Sequence, residues 1–146
     1  MKVKDVMTPD PACCLRETTA GEAAGLMKQY DCGAIPVVDN MKDRKLVGIV
    51  TDRDLAVRGL AEGKGADTAV SELLTEAPTA ADPDDEIETV RQVMIREQVR
   101  RVPVLGRDKV IVGIVAQADL AREDAAASDR EVGRIVEAIS EADPNN

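Results

Sequence analysis

The chain has 146 residues, 44% of them hydrophobic, so it is long enough for one compact domain or two very small ones with a true core. Its formal net charge of −9 argues against nucleic acid and anionic membranes as partners, because both attract proteins through basic surfaces. One tyrosine is the only aromatic residue, which argues against a stacking platform for single-stranded nucleic acid.

The amino-terminal segment has no apolar stretch like that of a signal peptide, and the longest apolar runs in the chain have the length of a strand. We therefore expect no membrane span and a cytoplasmic location. Three cysteines, with Cys13 and Cys14 adjacent, disfavour a disulfide framework. Without histidine, these thiols and Cys32 supply too few ligands for a metal site, so we expect reduced, partly buried thiols.

The first predicted elements occupy the segment up to residue 60. After a short first strand near Cys13, a capping box at Thr19 and Glu22 predicts the start of a helix. Two Ile- and Val-rich runs, at residues 34–38 and 47–51, predict strands joined by a polar turn. A further helix follows at Leu55 to Leu60, so the order is β-α-β-β-α. The apolar face of the first helix carries Ala23, Leu26, Met27 and Tyr30.

The second half of the sequence repeats this order of predicted elements. Residue Val70 repeats Val3 at an offset of 67, and Val112 repeats Val47 at an offset of 65. The two lost residues fall in the polar turn 39–44, where changes in length cost little. The second predicted helix carries Ile87, Val90, Val93 and Met94 on one face.

A repeat of about 60 residues cannot bury both faces of a small sheet alone, so the copies should pack together about a pseudo-twofold axis. We predict an α/β (α+β) fold with residues 1–66 as the first repeat and 67–124 as the second. Residues 125–146 are expected to form a separate helix, opened by a capping box at Ser128, with a frayed end at 143–146. Its apolar stripe would be Val132, Ile135, Val136 and Ile139.

The repeated motifs resemble those of the CBS domain. They are the opening Val-x-x-Val-Met-Thr-x-x-Pro, the run Gly33-Ala-Ile-Pro-Val-Val-Asp39, and the run Leu46-Val-Gly-Ile-Val-Thr-Asp-Arg-Asp-Leu55. The resemblance covers residues 3 to about 122. Within the family, the chain is similar to short bacterial proteins that contain little beyond one CBS pair, also called a Bateman module.

The resemblance implies two clefts between the repeats that bind AMP, ADP, ATP or a related adenosyl ligand. It assigns ribose and phosphate binding to Thr51 and Asp54 in the first repeat and to Asp119 in the second. Helix N–H groups and a hydroxyl suit a phosphate, and a carboxylate can accept hydrogen bonds from both ribose hydroxyls. The alternative is structural, because Thr51 and Asp54 also match an ordinary capping box. The loss of the hydroxyl at Ala116 favours the first cleft as the nucleotide site.

Basic and apolar residues near the expected clefts complete the candidate site. The resemblance places a phosphate-binding basic residue just before the central strand, where the second repeat has Arg100 and Arg101 and the first has Gly33 and Ala34. Arg53 is a further candidate, although these arginines could equally be solvated surface charges. The walls for the base, with main-chain groups left free by proline, would be Ile35, Pro36, Val102 and Pro103, unless these are simply core residues.

The leading hypothesis for function is a regulatory module, not an enzyme, in which nucleotide binding shifts the packing of the repeats and so signals to a protein partner. The alternative is a ligand-free structural or interaction dimer with degenerate clefts. No required cofactor is expected, and no P-loop or dinucleotide-binding glycine motif occurs. The resemblance also implies a homodimer.

Overall fold

The computed structural model describes residues 1–142, with side chains up to residue 134 except that of Val132. The first half contains α1 (Val3–Val6), β1 (Thr8–Pro9), α2 (Ala20–Tyr30), β2 (Ala34–Val38), β3 (Leu46–Thr51) and α3 (Asp52–Asp54). Helix α3 continues as a π-helical turn, Leu55–Gly59, and a 3₁₀ turn, Leu60–Glu62. The second half contains β4 (Thr75–Glu76), α4 (Ile87–Glu97), β5 (Arg101–Leu105), β6 (Ile111–Ala116) and α5 (Gln117–Ala142).

Each half contributes the edge strand of the other half's sheet. The sheets have the strand orders β2-β3-β4 and β1-β6-β5, so the opening segment of each sequence repeat pairs with the other repeat. In β3, Gly48 lies opposite Glu76, and in β6, Gly113 lies opposite Pro9. A Cβ atom on Gly48 would lie 2.6 Å from the Thr75 carbonyl oxygen. The glycines therefore allow the close approach that makes the exchange possible.

The hydrophobic cores repeat this exchange. Val3, which is fully buried, packs into the core of the second half with Val90, Val104 and Val115. Its repeat equivalent Val70 is also fully buried, in the core of the first half. The main chain keeps the same symmetry, since Asp52 N–H donates to the Gly33 carbonyl and Gln117 N–H donates to the Arg100 carbonyl. The two halves are thus interlocked about a pseudo-twofold axis.

Local sequence signals explain the first long helix. In α2, Glu22 N–H donates to Thr19 Oγ1 at 3.1 Å and Thr19 N–H donates to Glu22 Oε1 at 3.3 Å, which confirms the predicted capping box. Ala23 and Met27 are buried, as predicted. Tyr30, the last residue of the predicted apolar face, is 57% exposed and does not reach the core. It is the last residue of α2, which ends at Asp31 in a left-handed main-chain conformation.

The carboxyl-terminal segment differs from the prediction. Helix α5 runs without a break from Gln117 to Ala142, so Ser128 lies inside a helix and the boundary at residue 125 does not separate two elements. The connecting residues 121–131 are rich in Ala, Arg and Glu and contain neither Gly nor Pro. Extending a formed helix costs less free energy than ending it and nucleating another. The capping motif at Ser128 therefore does not start a new helix.

The predicted apolar stripe and frayed end of the tail lie outside the side chains and residues that the structure describes. None of the helices within residues 1–142 combines the length and the apolar character needed to cross a lipid bilayer.

Candidate functional site

The turn between β3 and α3 holds Asp54 in a defined position. Thr51 Oγ1 accepts a hydrogen bond from Asp54 N–H at 3.1 Å, and Asp54 Oδ2 accepts one from Thr51 N–H at 2.9 Å. The capping box considered from sequence is therefore present. The Asp54 side chain is only 15% exposed, and this bond leaves its other oxygen, Oδ1, as an acceptor that faces Arg58 Nε at 3.8 Å.

Arg58 connects Asp54 to the opening segment of the second half. Its Nη1 donates to the carbonyl oxygens of Leu73 and Leu74 at 3.3 and 3.1 Å. Arg58 lies in the π-helical turn, which the second half lacks because α5 is regular from its start. Single π-helical turns within helices are often found at functional sites. This one places a cation beside the carboxylate and links it to the two residues that precede β4.

A cleft of about 650 Å³ opens next to Asp54, within the range of small-molecule sites. One wall comes from the end of β3 and the start of α3. The opposite wall comes from the second half, through Thr75, Pro78, Thr79 and residues 97–101. The structure thus brings together five of the residues predicted from sequence, namely Thr51, Arg53, Asp54, Arg100 and Arg101.

The charges of the cleft come from three arginines and three acids. Arg53 and Arg100 are exposed, whereas the Arg101 side chain is 27% exposed and its Nη1 lies 3.7 Å from Asp52 Oδ1. The Glu97 carboxylate accepts a hydrogen bond from the Thr79 hydroxyl at 2.7 Å. The cleft can therefore offer guanidinium groups to an anion and a carboxylate to hydroxyl groups.

The sequence suggested that the start of α3 offers free main-chain N–H donors to a phosphate. In the structure these N–H groups already have partners. Asp52 N–H donates to the Gly33 carbonyl oxygen, Arg53 N–H donates to Asp52 Oδ1, and Asp54 N–H donates to Thr51 Oγ1. An anion in this cleft would have to be bound by side chains.

The expected apolar walls are not exposed. Ile35, Pro36, Val102 and Pro103 are all buried in β2 and β5. Their main-chain groups are not free either, because the Pro36 carbonyl accepts from Cys14 N–H and the Pro103 carbonyl from Ala81 N–H. Proline removes a donor from a strand but leaves its carbonyl, and Cys14 and Ala81, which form isolated β-bridges to these strands, use that carbonyl. The expectation of free main-chain groups here is wrong.

Asp119 lies at the equivalent place in the second half but not in the cleft of Asp54. Its side chain is 10% exposed, and its Oδ2 accepts a hydrogen bond from Ala116 N–H at 2.8 Å. Its other oxygen pairs with Arg122. Asp119 therefore still caps its helix without a hydroxyl at residue 116, so its retention in the second repeat does not by itself favour ribose binding over capping.

The residues at the equivalent repeat positions would give a second cleft a different charge from the first. Arg100 and Arg101 correspond to Gly33 and Ala34, and Glu97 corresponds to Tyr30. The arginine-rich wall is therefore found in one half only.

Several lining residues were missed from sequence, above all Asp52 and Glu97, together with Ile49, Thr75, Pro78, Gln98 and Val99. Asp52 stands beside two predicted residues, but its role depends on Arg101 of the other half. The sequence signal for the contact between Asp52 and Arg101 was the glycine at residue 33, because a Cβ atom there would lie 2.2 Å from Arg101 Nη2.

The thiols differ in exposure, which gives a direct test of the fold. Burial raises the pKa of Cys13, against the opposing effect of Arg44, and raises the pKa of Cys14 to about 12. Cys32 is exposed. Because the thiolate is the reactive form, a disulfide reagent at about pH 8 should modify one thiol per chain at least about tenfold faster than the other two.

Replacing Cys32 by Ala should remove the fast phase, and unfolding in urea should make all three thiols react. Two fast thiols in the folded protein would contradict the burial of Cys13 and Cys14.

Comparison with known proteins places this geometry in a family. The model of the CBS domain matches residues 3–59 and 70–126. Hypoxic response protein 1 of Mycobacterium tuberculosis is 38% identical over 120 residues, which is 82% of each chain. Its crystal structure, described with two coordinated zinc ions, has a TM-score of 0.73 at 36% identity and covers 84% of this chain and 98% of that one. Among the residues described here, no three His, Cys, Asp or Glu side chains are grouped to hold a metal ion.

Two further crystal structures contain adenosine-based ligands. The CBS domain pair of protein MJ0100, in complex with 5′-methylthioadenosine and S-adenosyl-L-methionine, has a TM-score of 0.80 at 28% identity and covers 87% of this chain and 98% of that one. CBSX2 in complex with AMP has a TM-score of 0.73 at 22% identity, over 86% and 97% of the two chains, so this match concerns the fold alone. Related CBS pairs thus bind AMP or compounds related to S-adenosyl-L-methionine.

Proposed function

Since the chain belongs to the CBS domain family, with one domain in each half, we propose that it is a regulatory module whose first cleft binds an adenine nucleotide. The observation that carries the proposal is the pairing of two walls from different halves. One wall supplies the Asp54 carboxylate, and the other supplies Arg100 and Arg101. No catalytic step is proposed, and a cytoplasmic location is part of the same proposal.

The cleft offers complementary groups for the parts of a nucleotide. Asp54 Oδ1 can accept hydrogen bonds from the ribose hydroxyls, since Asp54 Oδ2 is already bound to Thr51 N–H. The Thr51 hydroxyl accepts from Asp54 N–H and still has its own proton to donate. The arginines supply the charge-assisted contacts to phosphate that the occupied helix N–H groups cannot.

Binding across the two walls would also explain regulation. A ligand held by Asp54 of the first half and arginines of the second binds best to one relative arrangement of the halves, and it shifts the population toward that arrangement. A protein partner that contacts both halves would then detect the ligand.

Titration calorimetry of the purified protein with AMP, ADP, ATP and adenosine tests the proposal. We expect heat and a thermal shift with at least one phosphate-bearing ligand at submillimolar concentration. The second candidate, a ligand-free structural dimer, predicts neither effect at millimolar ligand. It is favoured by Asp119, whose carboxylate is used by Ala116 N–H and Arg122.

We also propose that the module is a homodimer. Apolar side chains are exposed on the helices, with Leu60 75% and Ile95 64% exposed, and burying them against a second copy would be favourable. Light scattering should give about twice the chain mass of 15.6 kDa at micromolar concentration. A value near the mass of one chain would contradict the dimer and leave the nucleotide site unaffected.

A further inference from the structure

An ion pair joins the two walls of the first cleft. Asp52 belongs to the first half, at the start of α3, and Arg101 belongs to the second half, at the start of β5. Their charged atoms, Asp52 Oδ1 and Arg101 Nη1, are 3.7 Å apart, and both residues line the cleft. Asp52 is 62% exposed, so the interaction is weak enough to be broken by a ligand.

Gly33 provides the space for this pair. A Cβ atom at residue 33 would lie 2.2 Å from Arg101 Nη2 and 2.8 Å from Asp52 Oδ2. The guanidinium group of Arg101 therefore rests on the main chain of the first half, between Gly33 and Asp52. This position directs its charge toward a carboxylate of the protein.

The other two arginines of the cleft are not engaged in this way. Neither Arg53 nor Arg100 forms an ion pair with any residue in the part of the chain that the structure describes, whereas Arg101 does. The cleft without ligand therefore has two uncommitted positive charges, which match the roughly two negative charges of a phosphate monoester near neutral pH.

We propose that Asp52 sets the phosphate selectivity of the cleft by retaining Arg101, so that a nucleoside monophosphate binds better than a triphosphate. A triphosphate carries more negative charge than the two uncommitted arginines can neutralise, so it has to draw Arg101 away from Asp52. Asp52 is thus a specificity-determining residue. This inference rests on the proposed nucleotide site and goes beyond it by naming the ligand class and the residue that selects it.

Affinities of adenosine, AMP and ATP for the wild-type protein and for Asp52→Asn test the inference. The variant should bind ATP about tenfold more tightly and AMP at most about threefold more tightly, because a partly exposed charge contributes about 1.4 kcal/mol or less. Adenosine, which has no phosphate, should bind with unchanged affinity. The control Glu17→Gln, which makes the same charge change at an exposed residue outside the cleft, should leave all three affinities unchanged.

Arg101→Gln tests whether Asp52 acts through Arg101 or by direct repulsion of the ligand. In that background, Asp52→Asn should change the ratio of ATP to AMP affinity by less than about threefold, because the retained cation is gone. Gly33→Ala should displace Arg101 from Asp52 and shift the ratio in the same direction as Asp52→Asn.

A ratio that Asp52→Asn leaves within about twofold of wild type would overturn this inference while leaving the nucleotide site in place. An equal effect of Asp52→Asn with and without Arg101 would also overturn it. If the wild-type protein binds none of the three ligands, the proposed function itself fails, and the selectivity fails with it.

Discussion

Asp54→Ala is expected to weaken AMP binding by about 50-fold, because it removes a nearly buried carboxylate that would accept charge-assisted hydrogen bonds from ribose. The substitution also deletes the bond from Thr51 N–H to Asp54 Oδ2, so the protein should lose about 1 kcal/mol of unfolding free energy. Calorimetric titration, performed well below the melting temperature of the variant, measures the first effect, and urea unfolding measures the second.

Glu22→Ala is the matched control for the structural part of this change. Glu22 Oε1 accepts a hydrogen bond from Thr19 N–H in a capping box of the same form, but Glu22 does not line the first cleft. This variant should show a similar loss of stability with unchanged affinity for AMP. If both variants weaken AMP equally, or if neither does, Asp54 acts only as a helix cap and ribose binding is not its role.

Asp119→Ala tests whether the second half also binds a nucleotide. It removes the equivalent bond, from Ala116 N–H to Asp119 Oδ2, and frees Arg122 from its partner. A loss of binding stoichiometry in this variant, with the affinity of the remaining site unchanged, would show a second occupied cleft.

The repeat and the main elements of the fold could be predicted because their signals are local. Capping residues such as Thr19 and Glu22 act within one helical turn, and the Ile- and Val-rich strands are visible as short apolar runs. Thr51, Asp54 and the arginines, which line the first cleft, were named from the resemblance to the CBS domain. These predictions required no knowledge of contacts between the halves.

The exchange of the opening segments could not be predicted in this way. Strands β1 and β4 have two residues each, too few for any alternation of side chains to be detected. Only the glycines at residues 48 and 113 indicate that another main chain approaches closely, and a glycine in a strand has several explanations. The same limit applies to Asp52, whose partner Arg101 lies in the other half.

The prediction of a separate tail helix was wrong for a different reason. A capping motif there competes with the cooperative extension of a helix that has already formed. The sequence Ser128-Asp-Arg-Glu131 can cap a helix, but it can also continue one that has already formed from Gln117. Without Gly or Pro in the preceding residues, nothing ends that helix. A capping motif therefore predicts a helix start only where the preceding segment is not helical.

The second prediction with a large effect concerns Gly48. Gly48→Ala should lower the free energy of unfolding by about 3 kcal/mol, because the new Cβ atom would lie 2.6 Å from the Thr75 carbonyl oxygen and would force β3 and β4 apart. Neither strand can move freely, since Leu73 and Leu74 anchor β4 in the core of the first half. Urea unfolding with an unchanged slope would measure the loss. AMP affinity should also fall, because Thr75 lines the cleft.

Substitutions at two other glycines provide comparisons for this loss of stability. Gly113 is the repeat equivalent of Gly48, but a Cβ atom there would first meet Met7 Sδ, the end of a flexible side chain, so Gly113→Ala should cost only about 1 to 2 kcal/mol. Gly25, in α2, has open space around its Cβ position, and Gly25→Ala should stabilise the protein by about 0.5 to 1 kcal/mol. If Gly48→Ala costs no more than Gly113→Ala, the main chains of β3 and β4 are not in the close contact that interlocks the halves.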